Sequence, residues 1–211
     1  RLAASNESED GMIIEIPENT YVKHVEIAES SSKALHLAVD LGTTSMHWSL
    51  LDGEKRIAFG SEPNPQMGAG SEIMSRLSFA ATESGKEILQ DLVVSRIAEL
   101  ITELTQDSFG TVESIAVAAN PAMTYLLLGL DTSCLATAPY NLTYKGGSIE
   151  KIGDLPPAYI APLAAPFVGG DLTAGLVAVL KKDPEYPFIL ADMGTNGEFI
   201  LALSPDNYIV T

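Results

Sequence analysis

Residues 40–45 read Asp-Leu-Gly-Thr-Thr-Ser, and residues 192–197 read Asp-Met-Gly-Thr-Asn-Gly. Each hexapeptide follows an apolar run, Leu-His-Leu-Ala-Val at 35–39 and Phe-Ile-Leu-Ala at 188–191. Each also leads into a second run, Met-His-Trp-Ser-Leu-Leu at 46–51 and Glu-Phe-Ile-Leu-Ala-Leu at 198–203. The pattern predicts strand, tight loop, strand, with Asp52-Gly53 and residues 204–207 as the turns beyond. Glycine lets the backbone bend and leaves N–H groups bare for an anion, while threonine hydroxyls add donors. The loops are not P-loops, because no Gly-Lys-Ser/Thr follows and each feeds a strand instead of a helix. An aspartate at the exit of a buried strand suits a hydrated magnesium ion, which takes hard oxygen ligands and keeps several waters. Asp40 and Asp192 are therefore the metal-side candidates. Gly42, Thr43 and Thr44 in one copy, and Gly194, Thr195, Asn196 and Gly197 in the other, are the phosphate-side candidates. A single copy reads more simply as an Asp-Gly turn. Two copies in matching apolar brackets favour two related half-domains that face one another across a polyphosphate.

Between the copies the chain alternates. Residues 84–107 carry Leu89, Leu92, Val93, Ile97, Leu100 and Leu104 at helical spacing, and residues 115–118 form a short apolar run. Asn120 and Pro121 are suited to open a helix that Gly129 closes. Residues 134–160, rich in glycine and proline, predict loops and short strands. Gly169-Gly170-Asp171 opens another helix, and Lys181 and Lys182 suit the negative end of its dipole. Strands alternating with helices imply an α/β protein with a helix-covered sheet. Asp171 has two readings: it satisfies its own helix's N–H groups, or it orients or deprotonates a water beside bare amides at Gly169 and Gly170. Residues 1–33, acidic and serine-rich, read as an arm or linker.

Composition narrows the partners. The chain has 211 residues, 46% of them hydrophobic, enough for a packed core. Its 28 acidic against 12 basic side chains give a formal charge of -16, which argues against nucleic acid and anionic membrane. No apolar stretch approaches the roughly 20 residues of a membrane span, and the acidic start does not resemble a signal peptide. The expected compartment is the cytoplasm. The lone Cys134 makes no internal disulfide, and three histidines without a cysteine cluster argue against a zinc or iron site.

Taken together, Asp40 to Ser45, Gly169 to Gly175 and Asp192 to Glu198 resemble the two phosphate motifs and the first connecting motif of the acetate and sugar kinase, heat-shock-protein and actin superfamily. Within it, A-V-D-L-G-T-T-S, N-P-Q-M-G-A-G-S-E-I-M-S-R-L, A-N-P-A-M-T-Y-L-L-L-G-L-D, P-F-V-G-G-D-L-T-A-G and A-D-M-G-T-N-G-E are similar to the ATP-dependent reductive activators of corrinoid proteins. The resemblance implies a ribonuclease-H-like mixed sheet with helices over residues 34–183, the first lobe of an actin-like ATPase. Residues 184–211 would then be the opening hairpin of a second lobe. It also implies ATP and Mg2+ as ligands, Asp171 as the catalytic residue, and a corrinoid protein as partner, returned from cobalt(II) to cobalt(I). A homodimer is a further candidate for completing the site. Where those activators carry the last cysteine of a [2Fe-2S] domain, this chain has Ala4, so no iron-sulfur cluster is expected in it. Their adenosine-binding segment would follow residue 211, so residues 1–211 alone are expected to bind ATP weakly and hydrolyse it poorly. A small-molecule kinase of the same superfamily and a nucleotide-sensing module without turnover are the alternatives.

Overall fold

The computed structural model describes residues 34–106, 110–194 and 197–211, together with the backbone of three short strands nearer the start. Those strands are β1 (Ser5–Glu7), β2 (Ile13–Glu15) and β3 (Val22–Val25). Then come β4 (Ala34–Leu41), β5 (Ser45–Asp52), β6 (Lys55–Pro63), a 3-10 turn at Pro65–Ala69, α1 (Ile73–Phe79) and α2 (Glu83–Gln106). They are followed by β7 (Thr111–Ala119), α3 (Pro121–Leu128), α4 (Ser133–Ala136), β8 (Ser148–Glu150), β9 (Ala158–Ile160) and α5 (Gly170–Leu180). The last elements are β10 (Phe188–Met193), β11 (Gly197–Ser204) and β12 (Asn207–Val210). The sequence-derived arm at 1–33 falls mostly outside the described residues.

A mixed sheet of seven strands, ordered β3-β6-β5-β4-β7-β9-β8, forms the body of this α/β protein. The β4, β5 and β6 strands run as an antiparallel meander, while β7 joins β4 in parallel and β9 joins β7 in parallel. Alternation explains the buried face: Leu35, Leu37, Val39 and Leu41 of β4 and Met46, Trp48 and Leu50 of β5 all lie inside. In β7 an extra residue opposite Leu35/His36 shifts the phase, so the inward set continues as Ile115, Val117 and Ala119. One stripe of α2 packs on this core through Leu89, Val93, Ile97 and Leu100. Arg96 falls in the same stripe and is held by Glu62 of β6 through two bonds, 2.8 and 2.9 Å, with Glu99 and Glu103 at 3.1 and 3.0 Å. Although burial disfavours its charge, Glu62 and Glu103 raise the guanidinium pKa above its ordinary value.

As the sequence suggested, Asn120 caps α3, accepting the Met123 N–H at 2.9 Å, and Gly129 ends it with a left-handed φ of 64°. The second hexapeptide also lies in a hairpin, β10 with β11. The chain then adds a strand that the hairpin expectation did not contain: β12 pairs with β11, and Phe199 and Thr211 exchange backbone bonds of 2.9 and 3.0 Å. This three-stranded sheet is separate from the larger one and touches α5 through β10. Among the described residues no helix is long and apolar enough to cross a membrane.

Candidate functional site

A cleft of about 480 Å³ opens where the two hexapeptides meet. Asp40 and residues 42–45 line it from the β4–β5 hairpin, Asp171 from the start of α5, and Asp192, Gly194 and Glu198 from the β10–β11 hairpin. Residues 152 positions apart in sequence thus share one cavity, since 192 − 40 = 152.

The first loop is tied down from behind. Gly42 donates its N–H to Ser45 O at 2.9 Å, closing the turn, and a Cβ at position 42 would sit 2.9 Å from that same oxygen. Its amide is therefore spent inside the loop and is not a bare donor for an anion, contrary to the expectation from sequence. The next two carbonyls point inward: Gly42 O accepts from Asn64 Nδ2 at 2.7 Å, and Thr43 O accepts from Arg76 Nη2. In a planar trans peptide the following N–H is antiparallel to the carbonyl. The N–H groups of Thr43 and Thr44 consequently point away from Asn64 and Arg76. Thr43 Oγ1 accepts from Asn120 Nδ2 at 3.1 Å, so the hydroxyl hydrogen is directed elsewhere. Asn120 both caps α3 and positions the loop, where the sequence had favoured the cap alone.

The cleft is acidic. Burial raises the carboxyl pKa of Asp40, Asp171 and Glu198 above the ordinary range, and the charge of Asp192 pushes each of them further up. At Asp40 the neighbouring His47 works in the opposite direction. His47 faces Asp40 across the β4–β5 ladder and meets Ser45 Oγ through Nε2 at 3.1 Å. Asp171 Oδ1 accepts the Leu172 N–H at 2.9 Å, yet the residue still lines the cleft, so both sequence readings of it remain represented. Among the described residues no three ligating side chains stand close enough to enclose a bare ion. Mutually repelling carboxylates spread around a cleft fit a cation that keeps its water shell, the preference of magnesium.

Several expected residues sit elsewhere. Gly169 and Gly170 do not line the cleft; they let α5 approach β7, because a Cβ at Gly169 would meet Asn120 Cα at 2.4 Å and one at Gly170 would meet Ala161 Cβ at 2.9 Å. Gly197 borders a neighbouring groove instead. Thr195 and Asn196 lie outside the described residues. Asn64 and Arg76, both 0% exposed, stand in the N-P-Q-M-G-A-G-S-E-I-M-S-R-L stretch that carries the resemblance, where Asn64 reads as a capping residue and neither is assigned a site role from sequence.

Residues 35–182 match the family described as RACo middle region, and the chain belongs to that family. A solved structure titled "Reductive activator for corrinoid,iron-sulfur protein" superposes with a TM-score of 0.74 and 27% identity over 86% of this chain. The match covers 31% of that protein's length. No curated protein matches the chain.

Proposed function

We propose that this chain is the first lobe, with the opening of the second, of an ATP-hydrolysing module that drives reductive activation of a corrinoid protein. The supporting observation is the convergence of Asp40, Asp171 and Asp192 in one cleft from three separate elements. An antiparallel meander continued by two parallel strands supports reading residues 34–183 as a ribonuclease-H-like lobe and 184–211 as the start of its partner. In this reading the Thr43 and Thr44 amides, and the second loop at residues 194–197, hold a triphosphate. Asp40 and Asp192 would hold a hydrated Mg2+ ion, which would neutralise phosphate charge. Asp171, its carboxyl pKa raised by burial, would orient a water and take its proton as the water oxygen bonds to the terminal phosphorus and the bond from that phosphorus to the ADP oxygen breaks. The relative that names the corrinoid reaction is far longer than the matched segment, so the coupling belongs to the full-length protein.

A small-molecule kinase is the second reading. A groove of about 520 Å³ adjoins the cleft, shares Asn120 and Glu198 with it, is lined by Ile73, Met74, Leu77 and Phe167, and would be the place for a second substrate. The test is product analysis with full-length protein and Mg-ATP. Release of ADP and inorganic phosphate, accelerated by a corrinoid protein, is expected; phosphate carried onto an added acid or sugar would replace the ATPase reading with the kinase one.

A further inference from the structure

Two arginines are buried in the first lobe, and they are treated in opposite ways. Arg96 is surrounded by Glu62, Glu99 and Glu103. Arg76, 0% exposed, meets only neutral acceptors: Gly70 O from Nε at 2.9 Å, Thr43 O from Nη2, and Gln66 Oε1 and Met123 Sδ from Nη1 at 3.5 and 3.1 Å. No ion pair to Arg76 exists among the described residues. Burial lowers its pKa to about 10, so it keeps its proton at neutral pH. An uncompensated interior cation is unfavourable unless something else balances it.

Its place in the fold supplies the candidate. The guanidinium is one hydrogen bond behind Thr43, on the opposite side of the loop from the cleft, and among the described residues no lysine or arginine lines that cleft. We propose that Arg76 is the fixed countercharge of the phosphate loop: it holds the Thr43 carbonyl inward and has a bound polyphosphate as its anion. The inference rests on the nucleotide reading above and names the group that supplies the missing positive charge. Asn64 holds the Gly42 carbonyl in the same way without adding charge.

The test uses the full-length protein, Mg2+ and three probes, sodium tripolyphosphate, inorganic phosphate and adenosine, by calorimetric titration. Arg76→Gln removes the charge. Gln66→Glu leaves Arg76 in place and gives it a carboxylate at a position now 3.5 Å from Nη1; it stays readable if Arg76→Gln does not fold. Each is expected to weaken tripolyphosphate about tenfold, phosphate less, and adenosine not at all, with a shallower salt dependence. Arg76→Lys, which keeps charge but not the fork, should fall between these and the unaltered protein. A purely structural role would change tripolyphosphate and adenosine alike. That result, or unchanged tripolyphosphate binding in the folded variants, overturns the proposal. If the unaltered protein binds neither tripolyphosphate nor Mg-ATP, the nucleotide reading itself fails, which is a different outcome.

Discussion

The two hexapeptides are close in sequence but rest on different foundations. The first leaves β4, whose alternate residues, Leu35 to Leu41, are buried in a cluster that continues to Leu163. The second leaves β10, where Ile189 and Met193 are 68% and 76% exposed and the adjoining cluster contains only Val168, Leu172 and Ile200 as buried members. Behind the first loop stand Asn64, Arg76 and Asn120; β10 has α5. Within the described residues the first loop is therefore the more heavily braced side of the cleft.

Substitutions can break that contrast. Ile97→Ala, in the large cluster, should destabilise by about 3–4 kcal/mol, whereas Ile200→Ala should lose about half as much, because its smaller cluster can collapse; denaturant melts of both variants measure the gap. Asp171→Asn keeps the oxygen that accepts from Leu172, so it should leave nucleotide affinity nearly unchanged and slow turnover roughly 100-fold, read in a steady-state ATPase assay. Equal turnover would remove Asp171 from the chemistry. Gly42→Ala forces a methyl against Ser45 O and should lower stability by about 1–2 kcal/mol, while Gly197→Ala meets nothing nearer than 3.5 Å and should be almost neutral.

The smallest effect is electrostatic. The raised carboxyls of Asp40, Asp171 and Glu198 bind protons more tightly folded than unfolded, so their contribution to stability is full below the ordinary carboxylate pKa and is lost as pH rises through the raised values. Asp192→Asn removes one common cause of those shifts. The magnesium-free melting temperature of that variant should therefore fall less steeply between acidic and neutral pH than that of the parent; an identical slope would show that the cluster does not act together.

Local pattern made much of this legible. Period-two runs flanking Asp-x-Gly-Thr gave both hairpins, Asn120-Pro121 gave the start of α3, and the stripe at Leu89, Val93 and Ile97 gave α2. Contacts distant in sequence were not legible. Nothing near residue 76 tells that its guanidinium will reach the carbonyl of Thr43, and nothing near Gly169 tells that its bare Cα is needed by Asn120 more than by a ligand. The four-residue β12 lies in a segment too short for alternation to register, and only its pairing with β11 defines it.

The most direct test of convergence is a double-mutant cycle on Mg-ATP affinity in the full-length protein, with Asp40→Asn, Asp192→Asn and both together. If the two loops hold one hydrated ion and one triphosphate, the combined loss falls short of the sum of the single losses by about 1 kcal/mol or more. Losses that add, or a single substitution without effect, would place the aspartates on separate duties and contradict a shared site.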